Sequence, residues 1–258
     1  MSATPEPVPG PAARPVDRLV FLHGFTQTHH HWHRVAHLVA RRLPASPELV
    51  FVDLPGHGSG SLDRTGIAAS GPALAELARR GTFVGYSMGA RFALLAALAR
   101  PRLVERLVVI GGTPGIGDPA ERAARLAADH ALAERVEAIG VDAFLAEWLA
   151  APMFAGLPPD PDDLRHRRRN TAAGLAHSLR TCGTAAQGDL WPRLDELTMP
   201  VLVLAGELDD KFTGIGRQMA ERLPRGTFAA VPGAGHAAHS ERPEATADLV
   251  AAWLAATG

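Results

Sequence analysis

Six short apolar runs punctuate the chain, at residues 18–23, 48–54, 81–87, 106–112, 200–207 and 226–233. Most are continuous rather than alternating, the pattern of strands covered on both faces of a parallel sheet. Helical periodicity separates several of them, over residues 31–42, 71–80, 88–99, 214–222 and 243–256. Strands alternating with helices predict an α/β fold, a mostly parallel doubly wound sheet with right-handed crossovers. Between about residues 114 and 190 the strand signal vanishes. "PAERAARLAADHALAERVEAIG", "VDAFLAEWLA" and "TAAGLAHSLRTCG" all read as helices there. A helical block inserted between the fourth and fifth strands is expected to cap one end of the sheet. Ligands of such sheets bind outside the carboxyl ends of the strands. The predicted organisation is a Pro-rich disordered lead-in (1–17), a core (18–113 and 191–258) and an inserted helical cap (114–190).

Composition narrows the setting rather than the chemistry. A chain of 258 residues, 47% hydrophobic and 21% charged, is an ordinary soluble globular protein with room for a large core. A net charge of −1 leaves no footprint for nucleic acid or an anionic membrane. The arginine run at 165–169 is short and is offset by Asp160, Asp162 and Asp163. The single cysteine, Cys182, cannot form an internal disulfide, so the fold needs no oxidising compartment. No apolar h-region opens the sequence, and no run reaches the ~18 residues of a membrane span. A cytoplasmic protein is expected, with no nucleic-acid or membrane partner and its oligomeric state open.

The third apolar run ends in Gly85-Tyr86-Ser87-Met88-Gly89 and passes directly into an Ala/Leu-rich helix. G-x-S-x-G between a strand and a helix is the context of a nucleophile elbow. A sharp reversal strains the central residue, and the flanking glycines remove Cβ atoms that would clash. The hydroxyl then stands at a helix N-terminus, where unpaired N–H groups favour negative charge. The plain alternative is a glycine-flanked turn with no chemical consequence. A reactive serine needs a histidine and an orienting acid, in the chain order Ser, Asp/Glu, His for this architecture. "PVLVLAGELDDKF" ends a late strand with Asp209 and Asp210, of which Asp209 is preferred. "VPGAGHAAHSERP" offers His236, directly after a glycine turn, and His239, expected on the first turn of the last helix and at the surface. Backbone N–H groups of Met88 and of Phe25, in "FLHGFTQ", are the predicted oxyanion hole. "DLPGHGSG" (53–60) is read as structural.

The segment "THHHWHRVAH" (28–37) is rich in histidine. His29, His33 and His37 would share a helix face and in principle bind a metal. No nearby cysteine completes a ligand set and the chemistry above needs no metal, so a partly exposed helix face is expected. No cofactor is called for.

"LHGFTQ", "GYSMGAR", "ERAARLAADHALAER", "FLAEWLAAPMF", "GLAHSLRTCGTAAQGDLW", "AGELDDKF" and "AGHAAHSERP" together resemble one branch of the α/β-hydrolase superfamily. That branch is the menaquinone-pathway lyases called MenH, or SHCHC synthases. The likeness covers most of the chain after residue 18. It implies elimination of pyruvate from SEPHCHC to give 2-succinyl-6-hydroxy-2,4-cyclohexadiene-1-carboxylate, without consumption of water. The serine, polarised by histidine and aspartate, would remove a ring proton while the oxyanion hole holds the succinyl carbonyl oxygen. It also implies substrate contacts from Tyr86, Arg91, Arg125, Trp148 and Arg167, with Arg168 or Arg169 as alternatives to the last. Guanidinium pairs suit a small carboxylated substrate because they fix its orientation as well as its position. One departure stands out: Gly183-Thr184-Ala185-Ala186-Gln187 replaces the family's G-T-G-x-Q. The competing reading is a serine carboxylesterase or C–C bond hydrolase on the same scaffold. A non-catalytic binding protein is disfavoured by the complete set of Ser, His and Asp.

Overall fold

A computed structural model describes residues 16–60 and 66–257. The expected lead-in lies, through residue 15, outside the described residues. Six strands follow in chain order: β1 (Arg18–Leu22), β2 (Glu48–Val52), β3 (Gly81–Tyr86), β4 (Val104–Ile110), β5 (Val201–Gly206) and β6 (Gly226–Val231). All pair in parallel, in the order β2-β1-β3-β4-β5-β6. The fourth strand starts two residues before the apolar run predicts. Its early Glu105 pairs with Arg80 at 2.7 Å, so the charge is met at the sheet's end.

The helices are α1 (His33–Arg42), α2 (Gly66–Ala78), α3 (Met88–Ala99), α4 (Pro119–Leu149), α5 (Pro161–Arg167), α6 (Ala172–Cys182), α7 (Asp210–Arg222), α8 (Ala238–Glu241) and α9 (Pro243–Ala256). Alternation along β1 sends Leu19 and Phe21 to one side of the sheet, with residues of α1 and α9. Val20 and Leu22 go to the other, with α2, α3 and α7. Both faces are therefore buried, which is why the strands read as unbroken apolar runs. Each fully buried Leu or Phe contributes about 1.5–3 kcal/mol.

Two helices begin earlier than their periodicity suggests. The second starts at Gly66 rather than 71. The seventh starts at Asp210 because the Asp209 carboxylate caps it, accepting from the Phe212 N–H at 3.2 Å. The first, in contrast, is preceded by a 3-10 turn over His29–Trp32, so His29 does not continue the helical face of His33 and His37.

Between β4 and β5 the described elements are all helical. α4 breaks at Gly140, whose φ of 76° only glycine adopts freely. Ala133, Val136, Phe144, Leu175, Ala176 and Leu179 make a small core of their own in this insertion. Phe25 and Trp148 pack against that core, tying the insertion to the loop after β1. The chain leaves β1 toward β2 on one side, and β3 lies on the other. Such a switch point opens a crevice at the carboxyl ends of β1 and β3. Among the described residues no helix is long and apolar enough to cross a membrane.

Candidate active site

The serine of the elbow sits at that switch point. Ser87 has φ 49° and ψ −105°, strained for a residue with a side chain, and its N–H is held by the Ile110 carbonyl at 2.8 Å. Gly85 is required sterically: a Cβ there would lie 2.5 Å from the Gly89 carbonyl oxygen. A Cβ on Gly89 would collide with the Leu22 carbonyl of β1. The two glycines thus let α3 press against the sheet, and the half-buried serine stands at the bend.

His236 Nε2 lies 3.2 Å from Ser87 Oγ, and His236 Nδ1 lies 2.8 Å from Asp209 Oδ2. The other oxygen of Asp209 caps α7, so the carboxylate is fixed at both ends. Asp210 is the first residue of α7 and makes no such bond to the imidazole among the described residues. The Phe212 ring packs on the imidazole at 4.5 Å.

A cavity of about 390 Å³ opens over the serine. From the core, Phe25, Tyr86, Ser87, Met88, Arg91 and His236 line it. From the insertion, Arg125 and Trp148 do. Met88 is the first residue of α3, so its N–H precedes the helix's own hydrogen bonds. Phe25 stacks edge-on against Trp148 at 5.2 Å. Burial pushes the Tyr86 hydroxyl well above its ordinary pKa, so it stays protonated.

Arg91 is buried and donates from Nη1 to the Gly183 carbonyl at 3.1 Å. Among the described residues no carboxylate pairs with it. Burial, and then the nearby Arg125 charge, lower its pKa to about 10, which leaves it charged at neutral pH. Arg125 spends its Nε on Asp129 Oδ1 at 2.8 Å.

Arg167 is placed differently from expectation, and so are its neighbours. It does not line the cavity. It is buried, donating to both Asp163 oxygens from Nε (2.6 Å) and Nη2 (3.1 Å), and from Nη1 to the Thr26 hydroxyl. Its fork is filled by protein acceptors, so the expected position on the cavity wall is corrected. Arg168 pairs with Asp142 at 2.8 Å, and Arg169 is exposed. His239 is corrected too: it is buried, its ring packed at a tilt against Tyr86 at 4.2 Å and Trp32 at 4.7 Å, not at the surface.

The histidine segment holds polar partners of its own. His29 Nδ1 pairs with Asp53 at 2.9 Å, and His37 Nδ1 donates to the His33 carbonyl at 2.7 Å. Among the described residues no group of three or more His, Cys, Asp or Glu is arranged to hold a metal.

Sequence reasoning missed Asp129 and Lys211, which line the cavity, and Glu241, which frames the histidine. The buried Glu241 accepts from the Gly235 N–H at 2.7 Å and the Ala237 N–H at 3.0 Å, on either side of His236. Four residues separate His236 from Glu241 in "HAAHSE". That spacing carries no signal until a short helix folds the glutamate back.

A parallel sheet with a serine on its central elbow, facing a histidine bonded to a carboxylate after a later strand, defines an α/β hydrolase. The alpha/beta hydrolase family model matches residues 19–249. A "putative 2-succinyl-6-hydroxy-2,4-cyclohexadiene-1-carboxylate synthase" of Bacillus subtilis (strain 168) is 34% identical, over 92% of this chain and 90% of its own. The synthase of that name from Klebsiella pneumoniae is 36% identical, over 92% and 93%. The solved MenH structure from S. aureus superposes with a TM-score of 0.84 at 29% identity, covering 95% of this chain and 96% of that one. The chain belongs to the alpha/beta hydrolase family and, within it, to the MenH group of 2-succinyl-6-hydroxy-2,4-cyclohexadiene-1-carboxylate synthases.

Proposed function

We propose that the protein is a carbon–oxygen lyase of menaquinone biosynthesis that eliminates pyruvate from SEPHCHC to give SHCHC. Ser87, His236 and Asp209 act as a base rather than as an acylating triad. His236 Nε2 takes the Ser87 proton, and Ser87 Oγ removes the ring proton beside the succinyl carbonyl. Asp209 holds the imidazole in the required tautomer and offsets the charge it gains. The electron pair of the broken C–H bond passes through the ring and breaks the bond to the enolpyruvyl oxygen. The leaving enolpyruvate takes up the proton and becomes pyruvate, so atoms balance without water. N–H groups of Met88 and Phe25 stabilise the oxygen on which charge develops.

The observation that carries this reading is Arg91. Burying a guanidinium without a carboxylate is costly unless a ligand supplies one. Arg125 faces the same cavity, with its Nη edge left over after Nε binds Asp129. These two guanidinium groups, with the Lys211 ammonium on the same lining, suit a substrate with several carboxylates and serve no purpose for a neutral ester. Tyr86 and Trp148 supply the apolar walls, and the helices of residues 114–190 act as the cap that excludes water. One cysteine and no need of a disulfide fit a cytoplasmic setting, and no cofactor or metal enters any step.

Purified protein mixed with SEPHCHC is expected to release pyruvate rapidly while cleaving nitrophenyl esters feebly. Efficient ester turnover without pyruvate release would assign the site to a carboxylesterase instead.

A further inference from the structure

The loop between β1 and the histidine segment holds a second non-glycine residue in a left-handed conformation. Thr26 is fully buried with φ 66°, a region that a β-branched residue disfavours. It belongs to a turn closed by the Gln27 N–H on the Gly24 carbonyl at 3.2 Å. A positive φ at the third position of such a turn is the mark of type II, where glycine or asparagine is usual. Threonine persists there only if its surroundings over-determine it.

They do so at every polar atom. The Thr26 N–H donates to His57 Nε2 at 3.2 Å. Its carbonyl accepts from Asn170 Nδ2 at 2.7 Å. Its hydroxyl accepts from Arg167 Nη1. Each partner is itself held. Arg167 is gripped by Asp163, and His31 pairs with Asp163 at 3.1 Å. The other face of Asn170 accepts from the Gly58 N–H at 2.9 Å. Arg167 and Asn170 are joined by their own turn, the Asn170 N–H on the Arg167 carbonyl at 3.1 Å. Two of the three clamps on this core loop therefore come from one short piece of the insertion.

We propose that Arg167 and Asn170 are positioning residues that hold Thr26 in its left-handed state and thereby set the Phe25 N–H over Ser87. Without these clamps the turn would loosen, and with it the bond from the Gln27 N–H to the Gly24 carbonyl, which shares one peptide plane with the Phe25 N–H. The insertion then does more than cover the site: part of it builds the oxyanion hole. This rests on the assignment of the Phe25 N–H to that hole.

The test separates positioning from substrate contact. Arg167→Met and Asn170→Ala are each expected to lower kcat for pyruvate release about 10- to 100-fold with KM within about twofold, as loss of an oxyanion donor's alignment would. Labelling of Ser87 by a neutral fluorophosphonate should slow in parallel. In that step the Oγ–P bond forms, fluoride leaves and the serine proton passes to His236, while the phosphoryl oxygen occupies the hole. Thr26→Val, which removes only the hydroxyl acceptor, should slow labelling more than Thr26→Ser does. It serves as the probe if Arg167→Met fails to fold. A raised KM with unchanged kcat and labelling in Arg167→Met would make it a substrate contact and overturn the proposal. So would wild-type labelling rates in both Asn170→Ala and Thr26→Val. Should the unmutated protein release no pyruvate, the lyase reading fails, but the labelling rates still decide the clamp.

Discussion

Arg91 and Arg167 are both buried arginines beside the loop and helix that frame one serine, yet their surroundings are opposite. Around Arg167 the protein supplies a complete set of acceptors: two oxygens of Asp163 and the Thr26 hydroxyl. Burial works to raise the Asp163 carboxyl pKa, but hydrogen bonds from His31 and Arg167 hold it well below the carboxylate range. Around Arg91 the described residues offer one backbone carbonyl. A buried charge with its partners present is architecture; one without them marks a place kept for a ligand. On the proposed reading, the contrast divides the site into a wall fixed before substrate arrives and a wall completed by it.

The comparison can be broken first by stability. Arg167→Met leaves Asp163 with His31 alone and should destabilise the fold by about 3 kcal/mol, the low end for a broken buried pair. Arg91→Met removes an uncompensated charge and should leave stability unchanged or raise it. Urea unfolding of both variants checks this, and equal losses would erase the distinction.

Next in size is the effect of acid. Burial, countered by the hydrogen bond to Pro55, lowers the His57 pKa to about 4, and neutral His57 accepts the Thr26 N–H. Unfolded histidine titrates near 6.5, so below that pH the unfolded state binds more protons than the folded one. The stabilisation from neutral His57 is thus complete above about 6.5 and is lost as pH falls toward 4, by about 3 kcal/mol in all. Unfolding free energies of wild type and His57→Gln across that range should differ in slope, the variant being flatter.

Smaller again is Gly183→Ala. A Cβ there would lie 2.6 Å from the Leu179 carbonyl and collide with Asp129 Oδ2. A loss of about 1–3 kcal/mol is expected, read by thermal unfolding, with weaker use of the carboxylated substrate because the Arg91 anchor moves. Arg125→Ala should raise KM by about tenfold and also cost some stability, because it leaves the buried Asp129 carboxylate without its cation.

Much of the prearranged wall was legible because local chemistry encodes it. G-x-S-x-G between strand and helix, the acid after β5 and the histidine after β6 each carry a backbone or ordering rule that a sequence displays. Arg91 comes to the site through the family resemblance of "GYSMGAR", since its place on the elbow helix alone also allows a solvated residue. Arg167 was misplaced because whether a guanidinium faces a cavity or a protein carboxylate depends on Asp163 and Thr26, the latter 141 residues away. No periodicity reports such a pairing. His239 failed for a related reason: the short helix α8 turns it inward onto Tyr86, whereas a longer surface helix would have turned it out. The early start of α7 was readable in principle, since Asp209 serves as both cap and imidazole partner, two roles that one residue rarely advertises together.

The most direct test of the account is the ratio of two rates in Arg91→Met. Two charge-assisted hydrogen bonds to a substrate carboxylate are together worth about 3 kcal/mol, so kcat/KM for pyruvate release should fall about 100-fold. Labelling of Ser87 by a neutral fluorophosphonate should proceed at the wild-type rate. Equal losses in both reactions, or none in either, would contradict the claim that Arg91 is held in reserve for a ligand carboxylate.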